Sequence, residues 1–116
     1  MGRKAEIKLT IQLGDDEVPE AITWKATEAD NLEDKNCEAM FLSMWDQEEK
    51  NSLIIDLWTK KMQVGEMNAH LFYTFMKMAD TYQNATNNEE IANKIRTFAQ
   101  DFANSVEEFV SNQAQQ

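Results

Sequence analysis

Apolar and polar positions alternate strictly from Ala5 to Leu13. Ile7, Leu9, Ile11 and Leu13 take turns with Glu6, Lys8, Thr10 and Gln12, the period of a strand with one buried and one wet face. Gly14-Asp15-Asp16-Glu17-Val18-Pro19 then supplies turn formers and the only proline. A second alternation sets Ile22, Trp24 and Ala26 on one side, Thr23 and Lys25 on the other. The two segments predict a hairpin. Thr27 to Asn36 is polar and acidic without periodicity, and reads as a connection.

Cys37 to Asp46 and Ser52 to Thr59 flank a charged loop around Gln47-Glu48-Glu49-Lys50-Asn51. The runs Ala39-Met40-Phe41-Leu42-Ser43-Met44-Trp45 and Leu53-Ile54-Ile55-Asp56-Leu57-Trp58 are apolar on both faces, as in central strands. Met, Phe and Leu also suit a helix in the first run. The β-branched and aromatic content of the second marks a strand.

The pattern then changes period. From Val64 to Ala85, Met67, Leu71, Phe75, Met78 and Tyr82 recur at spacings of three and four, which predicts a helix. Thr86-Asn87-Asn88-Glu89 interrupts it, and Thr86 with Glu89 or Asn87 with Glu90 would make a capping box for a second helix. Ile91, Ile95, Phe98, Phe102, Val106, Phe109 and Val110 form the cleanest stripe, flanked by Ala92, Ala99 and Ala103. The polar tail Ser111 to Gln116 is expected to fray. The order predicts one α+β domain over residues 1–116. Its architecture is a four-stranded antiparallel sheet followed by a two-helix hairpin packed on one face.

Composition narrows the function. The chain has 116 residues, 42% hydrophobic and 28% charged, an ordinary globular balance. Its net charge of −10 repels phosphate backbones and anionic lipids, which argues against nucleic acid as a partner. No stretch approaches the roughly 20 apolar residues of a membrane helix. Met1-Gly2-Arg3-Lys4 runs straight into the strand pattern, so no export leader is expected and the cytoplasm is the expected compartment.

Candidate chemistry is sparse. His70 is the only histidine and lies one turn from Met67 and Thr74, beside an apolar stripe. That suits a partly buried structural residue better than a triad. Cys37 is the only cysteine, with no Cys-x-x-Cys partner, and reads as a small hydrophobe. Asp15-Asp16-Glu17 and Glu28, Asp30, Glu33 and Asp34 lack the spacing of a calcium loop. No glycine-rich phosphate loop or nucleophile elbow occurs. No catalytic residue, cofactor or metal is therefore expected. Asp56 is sharper, because it alternates with Ile54 and Trp58 and so points to an apolar face. A structural ion pair with Lys60 is the first reading, and a partner-recognition site the second.

The largest signal is surplus apolar area. If Trp45 lies opposite Leu53, one hairpin face carries Phe41, Trp45, Leu53, Ile55 and Leu57. The other carries Met40, Leu42, Met44, Ile54 and Trp58. Two helices cover only one face, and soluble monomers rarely expose apolar patches beyond a few hundred Å². The candidate interface is thus Met40, Leu42, Met44, Ile54, Asp56 and Trp58. The other hairpin, a second copy of the chain or a different protein could cover it.

Several local strings resemble the gliding motility protein C (GldC) family. They are Ser43-Met44-Trp45-Asp46, Ile55-Asp56-Leu57-Trp58-Thr59-Lys60, Met78-Ala79-Asp80-Thr81-Tyr82 and Ala85-Thr86-Asn87. Arg3-Lys4-Ala5-Glu6-Ile7-Lys8 and Val18-Pro19-Glu20-Ala21-Ile22-Thr23-Trp24 look like the same family's start. Lys61 and Gln63-Val64-Gly65 depart from its pattern, so the resemblance does not place the start of the first helix. It implies an accessory protein of the gliding machinery of Bacteroidetes bacteria, without catalytic residues. Two readings follow. One is a protein-interaction module whose partners belong to the gliding or an associated secretion apparatus, with a homodimer as an option. The other is a ligand-binding domain or enzyme, with a pocket between sheet and helices lined by Trp24, Asp56, His70 and Tyr73.

Overall fold

A computed structural model describes residues 2–27 and 34–114. It contains β1 (Ile7–Leu13), β2 (Pro19–Ala26), β3 (Lys35–Cys37), β4 (Ala39–Asp46), β5 (Asn51–Trp58), α1 (Val64–Thr86) and α2 (Glu89–Ala114). The chain divides into two compact units, residues 1–62 with these strands and residues 63–116 with both helices.

The class is α+β, but the single four-stranded sheet is replaced by two antiparallel sheets, β1-β2-β3 and β4-β5. The apparent continuous strand from Cys37 to Asp46 is broken at Glu38. Before that bend, Cys37 pairs with Ile22; after it, Ala39 pairs with Trp58. A strand that turns from one sheet into another makes such a corner. Thr59 holds it: its N–H donates to the Glu38 carbonyl at 2.9 Å, and its hydroxyl donates to the Glu38 carboxylate. Thr59 is accordingly 1% exposed. The short β3 was missed because Lys35-Asn36-Cys37 carries no alternation. Backbone pairing with β2 makes it a strand, and local pattern does not report that.

β1 and β2 pair as their alternation predicts, with Leu9 opposite Trp24 and Ile11 opposite Ile22. Their turn closes through Gly14 N–H to the Val18 carbonyl, and the Asp16 carboxylate accepts the Val18 N–H. Ile22 is the best-buried large apolar side chain of the unit, at 1% exposed. The residues 28–33 of the polar connection, with Glu28, Asp30 and Glu33, lie outside the described residues.

In the second unit, α1 starts behind Gln63, whose N–H donates to the Glu66 carboxylate at 3.0 Å. It ends at Asn87 in the left-handed conformation, φ 58°, which asparagine tolerates. The cap of α2 is neither predicted box but Asn88, whose side-chain oxygen accepts the Ile91 N–H at 3.1 Å. Thr86 is used differently, accepting the Asn88 N–H at 3.1 Å. Ser111 to Ala114 continue α2 rather than fray, and residues 115–116 lie outside the described residues.

The two helices pack against each other as a hairpin. Ala79, Ala92 and Ala99 are fully buried, and Phe75 sits edge-on to Phe98 and Phe102 at 5.3 and 5.5 Å. Arg96 bridges to Asp80 at 2.9 Å. Ala92 and Ala99, expected to flank the stripe and permit close packing, are thus fully buried, and Ala103 with Ile95, Phe102 and Val106 of the stripe is half-buried. Ile91, Phe98 and Phe109, expected as core, are exposed.

Candidate interaction surface

The β4–β5 hairpin is set by its loop. Asp46 accepts the amides of Glu48 and Glu49 at 3.0 and 3.4 Å, and Lys50 adopts the left-handed conformation at φ 53°. Four loop residues thus separate the last pair, Asp46 and Asn51. Met44 lies opposite Leu53 and Trp45 opposite Ser52, one residue away from the expected register. A slip of one residue exchanges every side chain of one strand between faces.

The corrected faces differ in kind. One carries Met40, Leu42 and Met44 from β4 with Leu53, Ile55 and Leu57 from β5, and along these six positions it has no polar group. The other carries Ala39, Phe41, Ser43 and Trp45 with Ser52, Ile54, Asp56 and Trp58, and Asp56 is its only charge. The six proposed interface residues therefore do not share a face. Met40, Leu42 and Met44 lie on the first, and Ile54, Asp56 and Trp58 on the second.

Both faces are open. Met44, Leu53 and Ile55 are exposed on the first; Trp45 (61%), Ile54 (63%) and Trp58 (54%) are exposed on the second. Exposure is greatest towards the loop, while Met40, Leu42 and Phe41 near the corner are half-buried. Isolated exposed hydrophobics are normal; here they lie side by side on both faces of one ribbon.

Asp56 does not form the expected pair with Lys60. Asp56 is exposed, and Lys60 instead bridges to Asp16 at 2.9 Å, closing the end of β5 onto the β1–β2 turn. The Lys60 ammonium and the Val18 N–H hold the Asp16 carboxyl below its ordinary value, and Asp16 in turn raises Lys60. Val18, Pro19, Asp56, Leu57 and Trp58 line a recess of about 240 Å³. No sequence signal announced this recess, because it depends on where the turn residues Val18 and Pro19 come to rest.

The other candidates are placed as follows. Cys37 is half-buried opposite Ile22, and burial, with the adjacent Glu38 charge, pushes its thiol up and away from the nucleophilic form. His70 is half-buried in α1, where its carbonyl accepts the Thr74 hydroxyl at 2.7 Å. Trp24 and Asp56 belong to the first unit, His70 and Tyr73 to the second, so neither unit by itself forms the pocket those four were expected to line. Among the described residues, no three of the His, Cys, Asp and Glu side chains gather as a metal site, and no helix is long and apolar enough to cross a membrane.

The chain matches no curated protein and no solved structure. The family described as gliding motility-associated protein GldC-like matches residues 19–108, from the first residue of β2 through most of α2. That span contains the whole β4–β5 hairpin and the four strings between Ser43 and Asn87 that carried the resemblance, while Arg3 to Lys8 lies outside it. With most of its 116 residues inside the match, the chain belongs to the GldC-like family.

Proposed function

We propose that the chain is a non-catalytic accessory protein of the gliding machinery that acts as a protein-interaction module through its β4–β5 hairpin. One observation carries this: a two-stranded ribbon with Trp45, Ile54 and Trp58 each more than half exposed on one face and Met44, Leu53 and Ile55 exposed on the other. Two-stranded hairpins are marginal alone, and they gain stability from a further strand or layer. Aromatic and methionine side chains at open positions are also the composition of interface centres. The family's link to gliding motility supplies the process. We read the setting as the cytoplasm of a Bacteroidetes bacterium and the partners as proteins of the gliding or an associated secretion apparatus.

The test replaces the native copy in a gliding bacterium with an Ile54→Ser, Trp58→Ser variant. Both positions are exposed, and exposed substitutions usually change stability by less than about 0.5 kcal/mol. Cell gliding and colony spreading should fall severalfold while abundance and circular dichroism stay unchanged. Normal gliding by a folded, abundant variant would refute the reading.

A further inference from the structure

We infer that the Asp56 face of the β4–β5 hairpin receives a basic, otherwise apolar segment of another protein, with an arginine placed against Trp58 and paired with Asp56. This rests on the reading of the hairpin as the interaction surface, and names what that surface takes.

The corrected register singles out Asp56. It faces Phe41 directly, with Ile54 and Trp58 two residues away on the same strand and the same face. In water such a carboxylate is harmless. Once a partner covers the face, the carboxylate loses its hydration, which is tolerable only if the partner brings a cation and hydrogen bonds. The apolar positions around Asp56 ask for a cover, and Asp56 decides that the cover is positive there.

Arginine fits what surrounds that carboxylate. Its planar guanidinium can pair with a carboxylate through two hydrogen bonds while stacking on an aromatic face. Asp56 and the half-exposed Trp58 offer those two groups side by side, at a recess of about 240 Å³. Pockets for whole small molecules usually start near 300 Å³, so this volume suits one long side chain. On the other sheet a cation already lies over an indole, the Lys35 ammonium 5.5 Å from the centre of the Trp24 ring. Lys60, two residues past Trp58, is held by Asp16.

Charge also selects between occupants. A second copy docking by this same face brings another Asp56, and like charges brought together under a cover disfavour the contact. Two copies also add their net charges of −10. The opposite face, Met40 to Leu57, has no such obstacle and is where self-association would occur. A basic partner is instead drawn towards an acidic chain, and its approach is faster at low salt.

The test uses the full chain and three synthetic peptides of about a dozen residues on one Val-Thr-Leu scaffold. They carry a central arginine, a central citrulline of the same shape without charge, or a central glutamate. Trp fluorescence and backbone amide shifts report binding. The arginine peptide should bind at least about tenfold more tightly than citrulline, a difference in binding of about 1.4 kcal/mol, and shift the amides of Asp56 and Trp58. Asp56→Asn should erase that preference while leaving the fold intact, and added salt should shrink it. Equal binding of the arginine and citrulline peptides, or no binding of the arginine peptide at millimolar concentration, overturns the inference. So does a dimer in which Trp58 is shielded from quencher. The two readings separate in cells. If Ile54→Ser with Trp58→Ser stops gliding but Asp56→Asn does not, the interface stands and the arginine falls. If neither matters, both fall.

Discussion

The sheet unit and the helical unit solve the burial problem with different residues. Among the described residues of the helical unit, the fully buried positions are Ala79, Ala92 and Ala99. A helix satisfies its backbone hydrogen bonds internally, so two helices can approach on nothing larger than methyl groups. Among the described residues of the sheet unit, the fully buried positions are Ile22 and Thr59, the second of them polar and engaged with Glu38. A ribbon satisfies one edge of each strand with its neighbour, and both faces still need a cover. The β4–β5 ribbon shows that need openly. The helical unit also exposes Tyr73, Phe98 and Phe109, so what sets the ribbon apart is that exposed apolar residues lie on both of its faces.

The largest effect expected from this comparison is inside the sheet unit itself. Ile22→Ala removes buried methyl groups at a position 1% exposed, and should lower stability by about 2–5 kcal/mol. Ile54→Ala removes the same atoms at a position 63% exposed, and should change it by less than about 0.5 kcal/mol. Urea denaturation of the two variants measures both. Equal losses at the two sites would mean that Ile54 is already covered, and the open-ribbon view would fail.

The helical unit should respond to the opposite change. Ala99→Leu forces extra volume into a fully buried position, and overpacking of this kind costs about 1–3 kcal/mol. Phe98→Ser, one residue away, should cost much less, because Phe98 is 56% exposed and loses mainly its edge contact with Phe75. If Phe98→Ser is the more damaging, the large residues rather than the alanines carry the hairpin.

Only part of this was legible in the sequence. Periodicity located α1 to within a residue and the start of α2, because a period of three to four is a local property, but it missed the end of α2, which runs through Ser111 to Ala114 where fraying was expected. It also paired β1 with β2 correctly, since Leu9, Ile11, Ile22 and Trp24 alternate with polar residues. Periodicity does not say which residues of an apolar stripe meet a neighbour: Ile95, Phe102 and Val106 are half-buried, while Phe98 and Phe109 are exposed. It cannot see the corner at Glu38, because only the pairing of Cys37 with Ile22 and of Ala39 with Trp58 divides that stretch between two sheets. The β4–β5 register was lost for the same reason: with apolar residues on both faces, no alternation distinguishes a pairing from its one-residue slip. The capping interactions of Asp46 and the left-handed Lys50 settle it, and both are turn geometry. Asp56 was read correctly as lying on a face with Ile54 and Trp58, but its expected partner Lys60 is taken by a residue 44 positions earlier.

The smallest effect concerns that long-range pair, which ties the β1–β2 turn to the end of β5. Lys60, first through its hydrogen bond, and then the Val18 N–H hold the Asp16 carboxyl below its ordinary value in the folded chain. A depressed carboxyl contributes stability above its unfolded value, and that contribution is lost as pH falls through the lower folded value. Lys60 is raised by Asp16, so its share is present below the ordinary lysine value and is lost as pH rises through the raised one. The pair should therefore be intact across the neutral range and released in acid and in strong base. Because both side chains are more than half exposed, water and salt screen the pair and the change in global stability should be slight. Carbon-detected titration of the Asp16 carboxyl reads it directly. In Lys60→Gln the midpoint should move up towards the ordinary carboxyl value yet stay below it, since Val18 still donates to Asp16 at 3.1 Å. An unchanged midpoint would show that the turn alone sets Asp16. The tether between turn and ribbon would then contribute nothing to how the recess beside Trp58 is held.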